Sequence, residues 1–141
     1  MRWAATCRKP MKGDIVSQKA LRVPLRVLYI EDNALVRELT CDLLAGDERE
    51  IVAVATGEEA LRAFKASHFD IVVTDVNLPS MSGLELMRHV KQISPSVPVI
   101  LASGHRLDPD FCRLGPKIRA ITKPFSAPEM HALIEDLCSD V

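Results

Sequence analysis

The stretch Ile71-Val72-Val73-Thr74-Asp75-Val76-Asn77-Leu78-Pro79 carries a mostly apolar, β-branched run up to one carboxylate and then into a polar turn. A run that is apolar without alternation is typical of a strand buried on both faces, as in parallel sheets covered by helices. Asp75 is therefore predicted to lie at the carboxyl end of such a strand, the edge at which open α/β sheets bind ligands. Taken alone, the stretch fits equally well with Asp75 as the first residue of a turn.

Four further short apolar runs predict the remaining strands of a sheet, and they cover residues 25–30, 51–55, 97–102 and 118–122. Apolar residues recur at helical spacing after each strand, although the pattern is weak in residues 108–114, where Gly115-Pro116 ends a short helix. Ser126 and Glu129 have the spacing of a capping box at the start of the last helix. Five strands alternating with five helices predict one α/β domain with a parallel sheet and helices on both faces.

The composition of the 141 residues, 48% hydrophobic and 26% charged, is ordinary for one globular domain. No apolar run reaches the roughly 20 residues that span a bilayer, so no membrane span is expected. The four cysteines form no CxxC pair, which argues against a zinc site. Widely spaced cysteines without a visible signal peptide favour reduced thiols and a cytoplasmic location.

The charge is unevenly distributed, although the whole chain carries a formal net charge of only -1. Residues 1–24 contain six basic side chains and one acidic side chain, which gives +5, so the remaining residues sum to -6. Such a basic, weakly patterned stretch is usually a solvated tail and only sometimes a contact for nucleic acid, membrane or an acidic partner. We therefore expect a flexible N-terminal extension in residues 1–24, a domain in residues 25–141 and no direct binding of nucleic acid.

Polar residues occur at the predicted ends of four strands. Glu31 and Asp32 follow the first strand, Asp75 ends the third, and Ser103 and Lys123 follow the fourth and fifth. The carboxyl ends of parallel strands meet at one edge of a sheet, so these side chains are expected to share one crevice. Three carboxylates together would raise one another's pKa values unless a cation joined them. A buried salt bridge between Lys123 and one carboxylate would be a purely structural explanation, but it leaves the other two carboxylates without a counter-charge.

A hard divalent cation with oxygen ligands fits this crevice, and Mg²⁺ also leaves coordination positions for water and phosphate. The predicted ligands are the side chains of Glu31, Asp32 and Asp75 and the backbone carbonyl of Asn77. A carboxylate nucleophile that forms an acyl phosphate would use such a site, because phosphoryl transfer depends on charge neutralisation and positioning. In that chemistry Asp75 is the phosphoacceptor, and Mg²⁺, the Lys123 ammonium and the Ser103 hydroxyl each bind one phosphoryl oxygen.

From about residue 25 to residue 139, the chain resembles the receiver domain of two-component response regulators, of the single-domain type related to chemotaxis regulators. The matching elements occur in the order of that family and with nearly its spacing: Glu31-Asp32, Asp75 before Asn77-Leu78-Pro79, Ser82-Gly83, Ser103 after a buried strand, and Lys123-Pro124-Phe125. The resemblance implies a flavodoxin-like, doubly wound, five-stranded parallel sheet of strand order 2-1-3-4-5. It also implies a cis bond between Lys123 and Pro124.

The resemblance further implies the partners of the chain. Asp75 would take its phosphoryl group from a histidine kinase or a histidine phosphotransfer protein, and the signal would pass to a downstream protein that the sequence does not identify. The chain would catalyse its own phosphorylation and dephosphorylation without turning over a separate substrate. It would then signal through protein contacts as a stand-alone receiver, with a phosphorylation-linked dimer as one such contact.

Two departures from the family pattern affect the expected switch mechanism, and two alternative functions stay open beside the receiver. Ala120 stands where receivers commonly carry an aromatic switch residue, and the segment between Ser103 and Lys123 is short. One alternative is a pseudo-receiver scaffold that binds partners without being phosphorylated. The other is an aspartyl-phosphate phosphatase of the haloacid dehalogenase type, which is disfavoured because that family has a second aspartate where this chain has Asn77.

Overall fold

The computed structural model describes residues 5–7, 24–45, 49–107, 113 and 115–138. The strands are β1 Ala5–Cys7, β2 Leu25–Ile30, β3 Arg49–Val54, β4 Ile71–Asp75, β5 Val99–Ser103 and β6 Ile118–Thr122. The helices are α1 Ala34–Ala45, α2 Gly57–Ala66, α3 Gly83–Ile93 and α4 Ala127–Cys138. Among the described residues, no helix has the length and apolar character needed to cross a membrane.

All the strands belong to one sheet, in which β4 is a central strand. The sheet has the order β1-β3-β2-β4-β5-β6, and β2 to β6 pair in parallel. Counted among themselves, the five parallel strands have the order 2-1-3-4-5, which confirms the predicted flavodoxin-like topology. Every residue of β4 is buried, as its unbroken apolar run predicted, and the last residue, Asp75, pairs with Ala102 of β5.

The sheet has one strand more than predicted, and that strand lies at its edge. The additional strand, β1, lies within the predicted N-terminal extension and pairs antiparallel with β3, with Thr6 opposite Val52. Strand pairing uses main-chain groups, so an edge strand can accept a neighbour that has no apolar pattern of its own. Apart from β1 and Pro24, the extension lies outside the described residues, as does the weak helix of residues 108–114 apart from Arg113.

Helices cover both faces of the sheet, as the alternation of strands and helices predicted. Side chains alternate between the two faces along a strand, so Val72 of β4 packs with α2 and α3, and Val73 packs with α1 and α4. Before α4, Ser126 N–H donates to Glu129 Oε1 (2.8 Å) and Glu129 N–H donates to Ser126 Oγ (3.2 Å), which confirms the predicted capping box. With both faces covered, the loops at the carboxyl edge are the place where a ligand can approach the strand ends.

Candidate functional site

Three carboxylates lie together at the carboxyl edge of the sheet. Oxygen atoms of Glu31, Asp32 and Asp75 all lie within 4.8 Å of one another. Glu31 and Asp75 are only 3% and 7% exposed, whereas Asp32 is exposed to solvent. The predicted convergence of these acids is therefore observed, and it brings two buried negative charges and one exposed one into a single cluster.

The Lys123 ammonium bridges the two buried carboxylates of the cluster. Its Nζ donates to Glu31 Oε1 and to Asp75 Oδ2, each at 3.0 Å. Burial by itself lowers the pKa of Lys123, but the hydrogen bonds and charges of Asp75 and Glu31 outweigh it and hold that pKa above its ordinary value. Three carboxylates and one ammonium leave two negative charges over, so a salt bridge to one acid does not account for the site. A divalent cation matches that remaining charge.

The loop after β4 folds tightly back on the strand and orients the Asp75 side chain. Asn77 N–H donates to Asp75 Oδ1 (3.2 Å), and Gly83 N–H donates to the Val76 carbonyl (2.9 Å). A Cβ atom at position 83 would lie 2.2 Å from the Asp75 carbonyl oxygen, so only glycine fits there. With one oxygen bound to Asn77 and the other to Lys123, the carboxylate has a single defined orientation.

The acidic pair after β2 is fixed through the main chain of Glu31. Its N–H donates to the Val54 carbonyl at the end of β3 (3.1 Å), and its own carbonyl accepts from Arg37 Nη1 of α1 (2.8 Å). Asn33 N–H donates to Glu31 Oε2 (3.2 Å), and Asn33 Oδ1 accepts from Val36 N–H (3.0 Å) in the first turn of α1. The same short loop therefore holds the Glu31 carboxylate and starts the helix.

Ser103 lies at the same edge, at the end of β5. It follows Ala102, the residue that pairs with Asp75, and its side chain is buried. Its hydroxyl accepts a hydrogen bond from His105 N–H (3.1 Å), and its carbonyl accepts from Lys123 N–H (2.8 Å). Ser103 and Lys123 are therefore linked through their main chains, while the Ser103 hydroxyl binds His105 N–H. The bond between Lys123 and Pro124 is cis, as expected.

Three residues around the site were not predicted to have a role in it. Arg37 binds the Glu31 carbonyl, and nothing in its helical spacing indicates that contact. Thr74 is fully buried and donates its hydroxyl to the Asp75 carbonyl (3.0 Å); a polar residue inside an apolar strand was a signal that could have been noticed. Burial raises the pKa of Tyr29 above its ordinary value, and the charges of Glu31 and Asp75 add to that rise while a hydrogen bond with Thr40 opposes it.

Residues 27–135 match the family described as response regulator receiver domain, and the chain belongs to that family. It is 36% identical over 111 residues to the transcriptional regulatory protein CseB of Streptomyces avermitilis, covering 77% of this chain and 46% of that relative. It is 31% identical over 82 residues to a protein-glutamate methylesterase/protein-glutamine glutaminase of Clostridium acetobutylicum, covering 57% of this chain and 24% of that protein. The chain thus spans about a quarter to a half of these relatives.

A solved structure gives the same fold. The response regulator protein TrrA from Thermotoga maritima, in complex with Mg²⁺ and beryllium fluoride, is 27% identical to this chain, with a TM-score of 0.72. The match covers 80% of this chain and 98% of that one. Receiver domains bind Mg²⁺ at an acidic pocket, and the cluster at the sheet edge of this chain fits both that site and a phosphoacceptor role.

Proposed function

We propose that this chain is the phosphoacceptor of a two-component or phosphorelay system, in which Asp75 takes a phosphoryl group from a phosphohistidine. The observation that supports this most strongly is the Lys123 ammonium placed 3.0 Å from both Asp75 and Glu31 within a cluster of three carboxylates. An ammonium whose pKa is raised by neighbouring carboxylates, at the edge where open α/β sheets bind ligands, is typical of a functional site. A scaffold without phosphorylation does not require that arrangement, and the phosphatase alternative is disfavoured because Asn77 stands where that family has a second aspartate.

The metal expected at this site is Mg²⁺, held by Glu31, Asp32, Asp75 and the backbone carbonyl of Asn77. The charge count supports a divalent ion, because Lys123 compensates only one of the three carboxylates. When bound, Mg²⁺ supplies positive charge to the carboxylates and to the oxygens of the transferred group. The exposed Asp32 leaves the cluster accessible from solvent, so the ion and a phosphoryl donor have an entry path.

The transfer step uses the Asp75 carboxylate as nucleophile. One carboxylate oxygen forms a bond to phosphorus as the bond between phosphorus and the donor imidazole nitrogen breaks, and the electron pair of that bond stays on the nitrogen. The Lys123 ammonium is already at Asp75 and can pair with one phosphoryl oxygen, and the nearby Ser103 hydroxyl can donate to another. Stabilising these oxygens is the main demand of phosphoryl transfer.

The acyl phosphate is lost again when a water oxygen bonds to phosphorus and the Asp75 carboxylate leaves with the electron pair of its bond to phosphorus. The products are inorganic phosphate and the free carboxylate, and the proton lost by the water passes to solvent. The chain therefore changes its own state and turns over no separate substrate, which makes it a signalling receiver rather than an enzyme of the usual kind. A cytoplasmic location, the downstream target and a phosphorylation-linked dimer stay predictions.

The phosphohistidine protein is proposed to dock on an exposed apolar patch of α1. Leu35, Val36 and Leu39 are 67%, 38% and 61% exposed, and they lie in the helix that begins two residues after the acidic pair. Contiguous exposed apolar side chains often mark a protein interface. We expect Leu39→Glu to slow transfer from a phosphohistidine protein but not from acetyl phosphate. Ile93→Glu, at an exposed apolar residue near the opposite edge of the sheet, is the control and should leave both rates unchanged.

The test of the proposed function is incubation of the protein with acetyl phosphate, followed by intact mass measurement. With Mg²⁺ the wild-type protein should gain one phosphoryl group that is stable in acid and labile in base, and with EDTA it should gain none. Asp75→Asn should remain unmodified, whereas Asp42→Asn, which changes an exposed aspartate of α1, should behave like wild type. An unmodified wild-type protein, or an adduct that persists in Asp75→Asn, would rule out Asp75 as phosphoacceptor.

A further inference from the structure

Thr74 places a hydroxyl group in the interior of the sheet, directly before the proposed phosphoacceptor. The residue is fully buried, and its neighbours on the adjacent strands are Ile30 and Leu101. A buried hydroxyl without a hydrogen bond is costly, and this one donates to the carbonyl oxygen of Asp75 (3.0 Å). By the alternation of a strand, Thr74 faces the layer of α2 and α3, whereas Asp75 faces the opposite layer. Its hydroxyl therefore acts on the main chain of Asp75 and not on the carboxylate.

The Asp75 carbonyl is confined from a second side by Gly83. The backbone of Gly83 approaches so closely that an added Cβ would lie 2.2 Å from that oxygen and 2.9 Å from Val76 Cα. Three contacts thus hold the peptide group between Asp75 and Val76. The Thr74 hydroxyl and the Gly83 backbone confine its carbonyl, and its N–H donates to the Ala102 carbonyl of β5 (2.9 Å). That peptide group leads into Asn77, whose N–H binds Asp75 Oδ1.

We propose that Thr74 is a positioning residue for the phosphoacceptor. By binding the carbonyl of the peptide group after Asp75, its hydroxyl helps to set the direction of the loop that contains Asn77. That loop in turn orients the Asp75 carboxylate and the Asn77 carbonyl, two of the groups assigned to the cation. The inference rests on the proposed function, and it adds a residue that touches neither the metal nor the phosphoryl group.

The test compares two substitutions that separate the hydroxyl from the shape of the side chain. Thr74→Val keeps the shape and removes the hydroxyl, whereas Thr74→Ser keeps the hydroxyl and removes a methyl group. Mg²⁺ binding is measured by calorimetry on the intact, unphosphorylated chain. Because one hydrogen bond is lost, we expect Thr74→Val to bind Mg²⁺ about three- to tenfold more weakly than wild type, and Thr74→Ser to bind it as wild type does.

A second measurement follows the loop itself in the absence of Mg²⁺. The amide of Asn77 should exchange its hydrogen faster in Thr74→Val than in wild type or Thr74→Ser, because its hydrogen bond to Asp75 Oδ1 depends on the held peptide group. A loss of protection spread evenly over the sheet would instead indicate general destabilisation and would overturn the positioning role. If Thr74→Val does not fold, Thr74→Ala replaces it, with the same expected loss of Mg²⁺ affinity and rescue by Thr74→Ser.

The outcomes separate this inference from the proposed function. A wild-type protein that binds no Mg²⁺ and forms no acyl phosphate overturns the proposed function, and the role of Thr74 with it. A wild-type protein that does both, together with a Thr74→Val variant that matches it in Mg²⁺ affinity and Asn77 exchange, overturns only the role of Thr74. Equal losses in Thr74→Val and Thr74→Ser also overturn it, because packing and not the hydroxyl would then be responsible.

Discussion

Replacing Lys123 with methionine should destabilise the protein in a way that Mg²⁺ partly reverses. The substitution keeps the length of the side chain but leaves the buried carboxylates of Glu31 and Asp75 without their shared cation. Removing one partner of a buried ion pair costs about 3–5 kcal/mol. The Lys123 side chain is 29% exposed, so water weakens the interaction and we expect a loss of about 2–3 kcal/mol. For a domain of this size that corresponds to a fall in Tm of roughly 10 °C.

The dependence on Mg²⁺ follows from the charge that remains. Without Lys123 the cluster has three uncompensated carboxylates, so the cation is attracted more strongly and stabilises the variant more than it stabilises wild type. The raised pKa of Lys123 fixes the sign of the pH effect. The stability that Lys123 contributes is fully present below pH 10.5, the ordinary pKa of lysine. It is lost as the pH rises through the higher pKa that Lys123 has in the folded state.

The assay is thermal unfolding followed by circular dichroism, in EDTA and in excess Mg²⁺. Lys65→Met, at an exposed position of α2, is the matched control and should change Tm by little in either buffer. A Lys123→Met variant as stable as wild type in EDTA would refute the reasoning. So would an equal gain from Mg²⁺ in both proteins, because the cation and the lysine would then not share the carboxylates.

Three further changes have separate expected outcomes. Gly83→Ala forces a Cβ against the Asp75 carbonyl oxygen and should lower the free energy of unfolding, measured in urea, by about 2–3 kcal/mol. Gly104→Ala is the control and should leave it unchanged, because an added Cβ there would have no atom within 4 Å. Lys91→Met leaves three backbone carbonyls without their donor at the opposite edge of the sheet and should cost about 1–3 kcal/mol in the same assay, with Mg²⁺ affinity unchanged. Burial and the charge of Arg49 lower the pKa of His131 in the folded protein. The neutral imidazole therefore contributes to stability above pH 6.5, the ordinary pKa of histidine, and this contribution is lost as the pH falls through the lower pKa of the folded state. His131→Gln should remove that part of the acid dependence of unfolding.

Much of the fold and the composition of the site followed from where polar residues interrupt apolar runs. The strand before Asp75 was predictable because burial on both faces requires an unbroken apolar run, and the sheet edge then follows from parallel pairing. The sixth strand was not predictable, because β1 is held by main-chain pairing that leaves little trace in three residues. Its position at the edge changes neither the order of the five parallel strands nor the site.

The contacts between the site residues were less predictable than the identity of those residues. The sequence indicated that Lys123 would join the acids, but not that it would bridge Glu31 and Asp75, because that depends on distances across the four strands from β2 to β6. The donors to the main chain, Arg37 and Thr74, escaped prediction although both bonds are local, to the carbonyls of Glu31 and Asp75. The helical spacing of Arg37 does not indicate its bond, whereas the polar Thr74 inside an apolar strand was a signal that could have been noticed. Ala120 is exposed on β6, so the departure at that position falls on the surface of the sheet edge and leaves the acidic cluster intact.

The most direct test of the account locates the phosphoryl group on the chain. The protein is phosphorylated with acetyl phosphate and Mg²⁺, the acyl phosphate is reduced with borohydride, and the digested peptides are sequenced by mass spectrometry. We expect the peptide containing residues 71–79 to be modified and the reduced residue within it to be Asp75. Modification at any other residue, with Asp75 unchanged, would contradict it.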